Sequence, residues 1–231
     1  STPIGFLQMF KAIPLGFKVA IEVILVLSGE FLIMVCTWQD SDIITVSSRD
    51  TKGFEAITYL LGGEVEHKDS WGGQAAIETG DIQRMTTGSG LIHSELVTDK
   101  FKNNGGIMQG LQIWVNLPQK HKKIKPCYQH IKKNNIPTID KGNNVLIKVL
   151  VGKVKNVSSA VQTYSPVSIF DVQFSKPSLI DLDIPKNQTV MVYVIDGELK
   201  FDKDNKIARK GQMIYLRKLK IKFKALITAA L

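Results

Sequence analysis

Tyr59-Leu60-Leu61-Gly62-Gly63-Glu64-Val65 is echoed by Tyr193-Val194-Ile195-Asp196-Gly197-Glu198-Leu199, Gly197 standing 134 residues after Gly63. The echo continues downstream, where Gly80-Asp81-Ile82 answers to Gly211-Gln212-Met213. Each copy reads strand, Gly-Glu turn, strand, loop, Gly-polar turn, strand. Two such turns matched in order imply two homologous β-domains in tandem.

The rest of the chain has the same texture. Short β-branched or aromatic runs are punctuated by Gly, Asn and Asp, with no sustained 3.6-residue period, which is the pattern of an all-β sandwich or barrel. Near the start, Val23–Leu27 and Phe31–Cys36 flank Ser28-Gly29-Glu30 and read as two buried strands joined by a tight turn. Pro118-Gln119-Lys120-His121-Lys122-Lys123-Ile124-Lys125-Pro126 and the Lys132–Asn135 stretch read instead as an exposed connector, rich in Lys and Asn. The domains expected are an N-terminal barrel over 1–118, a basic connector over 119–144 and a C-terminal barrel over 145–231.

Composition limits the function classes. The chain has 231 residues, 44% of them hydrophobic, and a formal net charge of +9 from 30 basic and 21 acidic side chains. That is ordinary globular composition, large enough for a core without staples. The two cysteines, Cys36 and Cys127, match no zinc or redox spacing and offer no disulfide framework. The most apolar stretch is interrupted by Glu22 and Glu30, so no membrane helix is read, and a cytoplasmic protein is expected. Lysines gather in the connector and in the alternating Lys218–Lys224 segment, which reads as a solvated strand face. Without a recognition helix or aromatic platform, the charge does not imply specific nucleic-acid binding.

The chemistry concentrates at His93 and Glu95. On a strand, residues two apart project from one face, so an imidazole and a carboxylate converge, which is half of a mononuclear iron, manganese or nickel site. Gly88 and Gly90 let the backbone turn sharply just before this strand.

Gly53-Phe54-Glu55, Glu64-Val65-Glu66-His67-Lys68-Asp69-Ser70, the run from Gly80-Asp81-Ile82-Gln83-Arg84-Met85 through His93-Ser94-Glu95, and Leu111-Gln112-Ile113-Trp114-Val115-Asn116-Leu117-Pro118 together resemble the pirin family of the cupin superfamily. The resemblance runs from about Gly53 to about Leu216, whereas residues 1–48 and the end after Leu216 depart from it. It implies two tandem cupin β-barrels, a bicupin, in agreement with the repeat. It also implies iron (Fe2+) in the N-terminal barrel on three histidines and one glutamate, and an oxidoreductase activity of quercetin 2,3-dioxygenase type on flavonol-like substrates. His93 and Glu95 fall on one histidine and the glutamate of that set. The other two histidines belong to a His-Pro-His-Arg-Gly-Phe-Glu segment, where this chain reads Arg49-Asp50-Thr51-Lys52-Gly53-Phe54-Glu55. Arg49 and Thr51 therefore replace the expected imidazoles, and a guanidinium has no lone pair to give. His67, Glu55 and, more remotely, Asp50 are the nearby substitutes. The family also includes non-catalytic members that bind protein partners such as transcription regulators, and the missing pair makes that the alternative reading. His67 is expected on a hairpin edge as a surface or wall residue, His121 and His130 in solvent, Cys127 without a catalytic role, Trp71 at the barrel mouth or on an exposed loop, and Trp114 in the core.

Overall fold

The computed structural model describes residues 19–25, 31–39, 45–142, 144–176, 178–182, 190–201, 207–216 and 221–226. They fall into two compact units divided between His130 and Ile131. In the first unit the strands are β1 (Val19–Leu25), β2 (Phe31–Gln39), β3 (Thr45–Thr51), β4 (Phe54–Gly62), β5 (Glu64–Asp69), β6 (Gln74–Glu78), β7 (Ile82–Thr86), β8 (Leu91–Val97), β9 (Ile107–Asn116) and β10 (Cys127–Ile131). One sheet runs β1-β2-β9-β4-β7-β10 and a second runs β3-β8-β5-β6. A short helix, α1 (Asp99–Asn104), links β8 to β9. Thr98 caps it by accepting the Phe101 N–H at 3.2 Å.

Burial follows from position in the sheet. In β4, which has neighbours on both sides, Ala56, Ile57, Tyr59 and Leu60 are all buried, as expected of a strand covered on both faces. Along β8 the burial alternates at the start and end, and the odd-numbered residues Leu91, His93, Glu95 and Val97 share one face. Leu91 joins an apolar cluster with Ala56, Met85, Phe54, Trp114 and Tyr128, and Val97 joins another with Leu60, Ile77, Met108, Val65 and Phe101. Each apolar end fixes the strand, so the polar His93 and Glu95 between them have a defined place.

The second unit carries β11 (Thr138–Asp140), β12 (Val145–Val151), β13 (Lys153–Val154), β14 (Val157–Ser158), β15 (Ile169–Phe174), β16 (Leu179–Leu182), β17 (Val190–Tyr193), β18 (Glu198–Phe201), β19 (Ile207–Arg209), β20 (Met213–Leu216) and β21 (Ile221–Leu226). Its core gathers Val145, Ile147, Val194 and Ala208, with Phe170, Val172, Val192 and Ile214 packed against them. Both units are all-β, as the sequence implied, and the sequence repeat is reproduced bond for bond. Tyr59 pairs with Ile82 in the first unit and Tyr193 with Met213 in the second. Leu60 N–H donates to Asp81 O at 3.1 Å and Leu60 O accepts from Gly80 N–H at 2.7 Å; Val194 does the same with Gln212 at 2.9 Å and Gly211 at 2.8 Å.

The lysine-rich segment is more ordered than its composition suggests. Residues 119–144 contain a 3-10 turn (Gln119–His121), strand β10 on the edge of the six-stranded sheet, and β11. Lys218 and Lys220 lie outside the described residues, and Arg49 is described in its backbone alone. No helix among the described residues is long and apolar enough to cross a membrane.

Gly63, in the Gly-Glu turn, has φ +91°, and a Cβ built there would meet the Met108 sulfur at 2.6 Å, while Gly72 has φ +90° with nothing within 4 Å. Both positions carry the left-handed penalty for an L-residue, but only Gly63 adds a clash. Gly63→Ala is therefore expected to cost about 2–3 kcal/mol and Gly72→Ala about 1 kcal/mol. Thermal unfolding of the two variants checks this, and an equal loss would remove the packing role assigned to Gly63.

Candidate metal centre

His67-Lys68-Asp69 on β5 and His93-Ser94-Glu95 on β8 are each a histidine followed two residues later by an acid. The strands pair antiparallel with His67 opposite Glu95 and Asp69 opposite His93. Directly opposed residues of an antiparallel pair share a face, so two imidazoles and two carboxylates form the alternate corners of a rectangle. All four are turned from solvent: His67 is fully buried, His93 is 7% exposed, and the Asp69 and Glu95 side chains are 2% and 13% exposed. β5 is flanked by β8 and β6 rather than lying at an edge, which corrects the expectation for His67.

The facing sheet completes the site. Tyr128 on β10 stacks on the His67 ring with centroids 4.3 Å apart and planes 9° from parallel. Its hydroxyl donates to Gln83 Oε1 at 2.9 Å, which turns the Gln83 amide nitrogen toward Glu95 Oε1, 2.5 Å away. On β9, the Trp114 indole donates to Gln112 Oε1 at 2.9 Å, and the Gln112 nitrogen then reaches Glu95 Oε2 at 3.5 Å and Thr58 Oγ1 at 3.3 Å. Each oxygen of Glu95 thus faces an amide whose orientation an aromatic donor has fixed. Burial pushes the Glu95 carboxyl up, but the His67 and His93 rings and the Gln83 amide outweigh it and hold the carboxyl below its ordinary value. Burial, with the charges of Glu95, Asp69 and Asp81 around it, pushes the Tyr128 phenol well up, so it stays a neutral donor.

His67 is set by Asp69. The Asp69 Oδ2 lies 3.2 Å from His67 Nε2, on the side of the ring away from Glu95. Nδ1 is buried, has no hydrogen-bond partner, and lies 3.9 Å from Glu95 Oε1.

The expected ligand positions on β3 do not supply donors. Arg49 is the register partner of His93, and the Thr51 hydroxyl donates to Leu91 O at 3.2 Å. Asp50 is exposed. Glu55 is fully buried but serves as counter-ion to Arg84, at 3.2 Å, and accepts from the Thr86 hydroxyl at 2.9 Å. Among the described residues no three His, Cys, Asp or Glu stand at coordination spacing.

The remaining candidates sort by contact. His130 is not in solvent: its Nε2 lies 2.9 Å from Asp81 Oδ2, which fastens β10 to the turn before β7. His121 is half-buried, while Cys127 is exposed and takes an N–H from Arg84 at 3.5 Å. Trp71 is half-exposed, its indole donating to Gly90 O at 3.1 Å with Lys125 over its face at 5.5 Å. Trp114 is half-buried, stacks on Phe54 at 4.8 Å and packs against the core cluster of Ala56, Met85 and Leu91, as expected from the sequence.

His93 and Glu95, singled out in the sequence, share the inner face of β8; Gln83, Gln112, Asp69 and Tyr128, which surround them, were passed over. The repeated histidine-x-acid spacing was a signal for Asp69. Gln83 sits in Ile82–Thr86, all five residues of which are buried, so its position is decided by the sheet and not by local pattern.

Comparison with known proteins agrees with this architecture. The Pirin family model matches residues 27–115, so the similarity begins well before Gly53, where the motifs had placed it. The crystal structure of quercetin 2,3-dioxygenase from Acinetobacter baumannii is 30% identical with a TM-score of 0.76, over 84% of this chain and 69% of that one. Pirin-1 of Arabidopsis thaliana is 35% identical over 64% of this chain and 49% of its own length. The bacterial pirin YhhW of Escherichia coli, crystallised in complex with nickel(II), shares the fold at 18% identity and a TM-score of 0.65, over 84% of this chain and 76% of that one. The chain spans between 48% and 59% of the length of the first three curated relatives it matches. Two matched turns, an all-β fold and these relatives converge: the chain belongs to the pirin family of cupin proteins.

Proposed function

We propose that the first barrel is the metal centre of a pirin-type oxidoreductase that acts with dioxygen on a flavonol-like substrate. One observation carries the reading: the register of β5 and β8 that turns His67, His93, Asp69 and Glu95 inward together. Nitrogen and carboxylate donors in that combination are the chemistry that suits iron(II). His93 and Glu95 would hold the ion. When bound, iron(II) supplies Lewis acidity and one-electron chemistry toward dioxygen. Gln83 and Gln112 fix the Glu95 carboxylate, Asp69 fixes the His67 ring, and the two apolar clusters above and below keep water from the polar band. Tyr128, Trp114 and Phe54 supply flat aromatic walls for a planar polyphenol.

A second reading is favoured by β3. With Arg49 opposite His93 and the Thr51 hydroxyl committed to a backbone carbonyl, the chain lacks the family's histidine pair, and a non-catalytic pirin that binds a protein partner needs no such pair. Cytoplasmic location accompanies both readings.

Iron content and oxygen uptake separate the two. Protein loaded anaerobically with iron(II) and desalted should retain metal and consume oxygen with quercetin, and His93→Ala should lose both. Retained metal in His93→Ala would place the ion elsewhere. Gln83→Leu should weaken iron binding roughly 10- to 100-fold while leaving the ligands intact, the usual penalty for losing an outer hydrogen bond to a ligand. Arg49→His with Thr51→His should raise affinity by at least about tenfold, because it removes a cation and adds two imidazoles on alternate positions of one strand. No gain in that double variant would show that β3 does not present the family's ligand geometry.

A further inference from the structure

We propose that Cys127 is a redox-modification site: its exposed thiol is oxidised by a hydroperoxide to a sulfenate, and the new oxygen is held by the buried guanidinium of Arg84. Neighbouring residues of a strand point to opposite faces. Gln83 and Tyr128 therefore turn toward Glu95 and His67, while Arg84 and Cys127 meet on the other face of the sheet. The inference is independent of the metal-centre reading.

The geometry of Arg84 singles out this thiol. The side chain is 7% exposed, yet it reaches a surface residue. A guanidinium carries five N–H donors in one plane. The Nη1 end is committed within the sheet, to Glu55 Oε1 at 3.2 Å and to the Thr86 hydroxyl. The Nη2 end donates to Cys127 Sγ at 3.5 Å. Between the two, Nε is buried and has no hydrogen-bond partner among the described residues, an arrangement that costs free energy until an acceptor meets it. Nε–H and one N–H of Nη2 run parallel, the fork that grips a carboxylate at two points, so the unmet donor opens on the edge that the sulfur caps. A thiol sulfur is a weak acceptor. A sulfenate oxygen stands one bond beyond the sulfur, carries negative charge and makes the stronger, charge-assisted bond to the fork.

In the reaction the thiolate sulfur attacks the terminal oxygen of the hydroperoxide, the O–O bond breaks, and the departing alkoxide takes a proton to become the alcohol. Sulfur loses two electrons and the peroxide gains them. A low-molecular-weight thiol then displaces water to form a mixed disulfide, and a second one restores the Cys127 thiol. Cys127 opens β10, which lies beside β7 at the sheet edge, and Tyr128 next to it is the residue stacked on His67. Oxidation thus adds a bond that ties this edge strand to β7.

An exposed thiol can oxidise without help, so the test must read what Arg84 does to the product. The full chain, reduced and freed of metal with a chelator, is treated with hydrogen peroxide in the presence of dimedone. A dimedone adduct at Cys127 is expected by mass spectrometry, and its absence would overturn the proposal. In a second series catalase removes the peroxide and dimedone follows after increasing delays, which gives the lifetime of the sulfenate. Arg84→Lys keeps a cation for Glu55 but has no fork, and should shorten that lifetime at least tenfold. Equal lifetimes would overturn the role of Arg84. Where Arg84→Lys does not fold, the melting temperature of the wild type decides. Oxidation should raise it by at least about 2 °C and leave Cys127→Ser unchanged, because a buried donor gains a charged acceptor. An unchanged or lower value in the wild type would show that the oxygen is not received in the fork.

Discussion

The antiparallel register of β5 against β8 is the constraint on which the site depends. Because side chains alternate with a period of two, a slip of β8 by one residue would turn His93 and Glu95 to the outer face and part them from His67 and Asp69 on β5. The register is held from both ends of β8. Val97 is drawn into the cluster with Leu60, Ile77 and Met108, and Leu91 into the cluster with Ala56 and Met85. Burial of each such aliphatic side chain is worth about 1.5–3 kcal/mol, and none of it survives a one-residue slip. The apolar ends therefore fix where the polar middle points.

A buried band containing Glu95, Asp69 and two imidazoles is costly to assemble. Unsolvated carboxylates are stabilised only by close, well-oriented donors. At Glu95 the chain meets this with the His67 and His93 rings and with two amides, each amide oriented by an aromatic N–H or O–H from the facing sheet. The Glu55–Arg84 pair is the contrasting case. There the carboxylate is closed by a guanidinium and a hydroxyl, and it has the character of a structural buried ion pair.

What could be read from the chain divides along the same physical line. The tandem repeat was legible because turns are local: glycine at positive φ is demanded by the backbone itself at Gly63, Gly80, Gly197 and Gly211. His93 and Glu95 were legible because strand alternation is local too. His67 was not, since the same spacing rule applies to it but only the pairing of β5 with β8 shows that its face is the inner one. Tyr128 was hidden by composition. It lies among lysines that look like a linker, yet Cys127–Ile131 is an edge strand whose alternate residues reach Gln83 and Asp81. Gln83 and Gln112 were hidden because a glutamine in a strand reads as solvent-facing until its sheet is known.

The repeat also shows how the same frame takes different interiors among the described residues of the two units. Equivalent register pairs sit just inside the matched turns of the two units: Thr58 with Gln83 in the first, and Val192 with Ile214 in the second. In the first, the pair belongs to the polar network, with Thr58 bonded to Gln112 and Gln83 to Glu95. In the second, Val192 and Ile214 pack against Val145, Ile147, Val194 and Ala208. The same backbone hydrogen bonds at Leu60 and Val194 frame both pairs, so the scaffold has not changed. With equal frames, the side chains alone decide the outcome. An interior filled with branched aliphatics gains stability and leaves no donors, whereas an interior filled with amides, imidazoles and carboxylates gives up part of that stability for a place where an ion or a polar ligand is held.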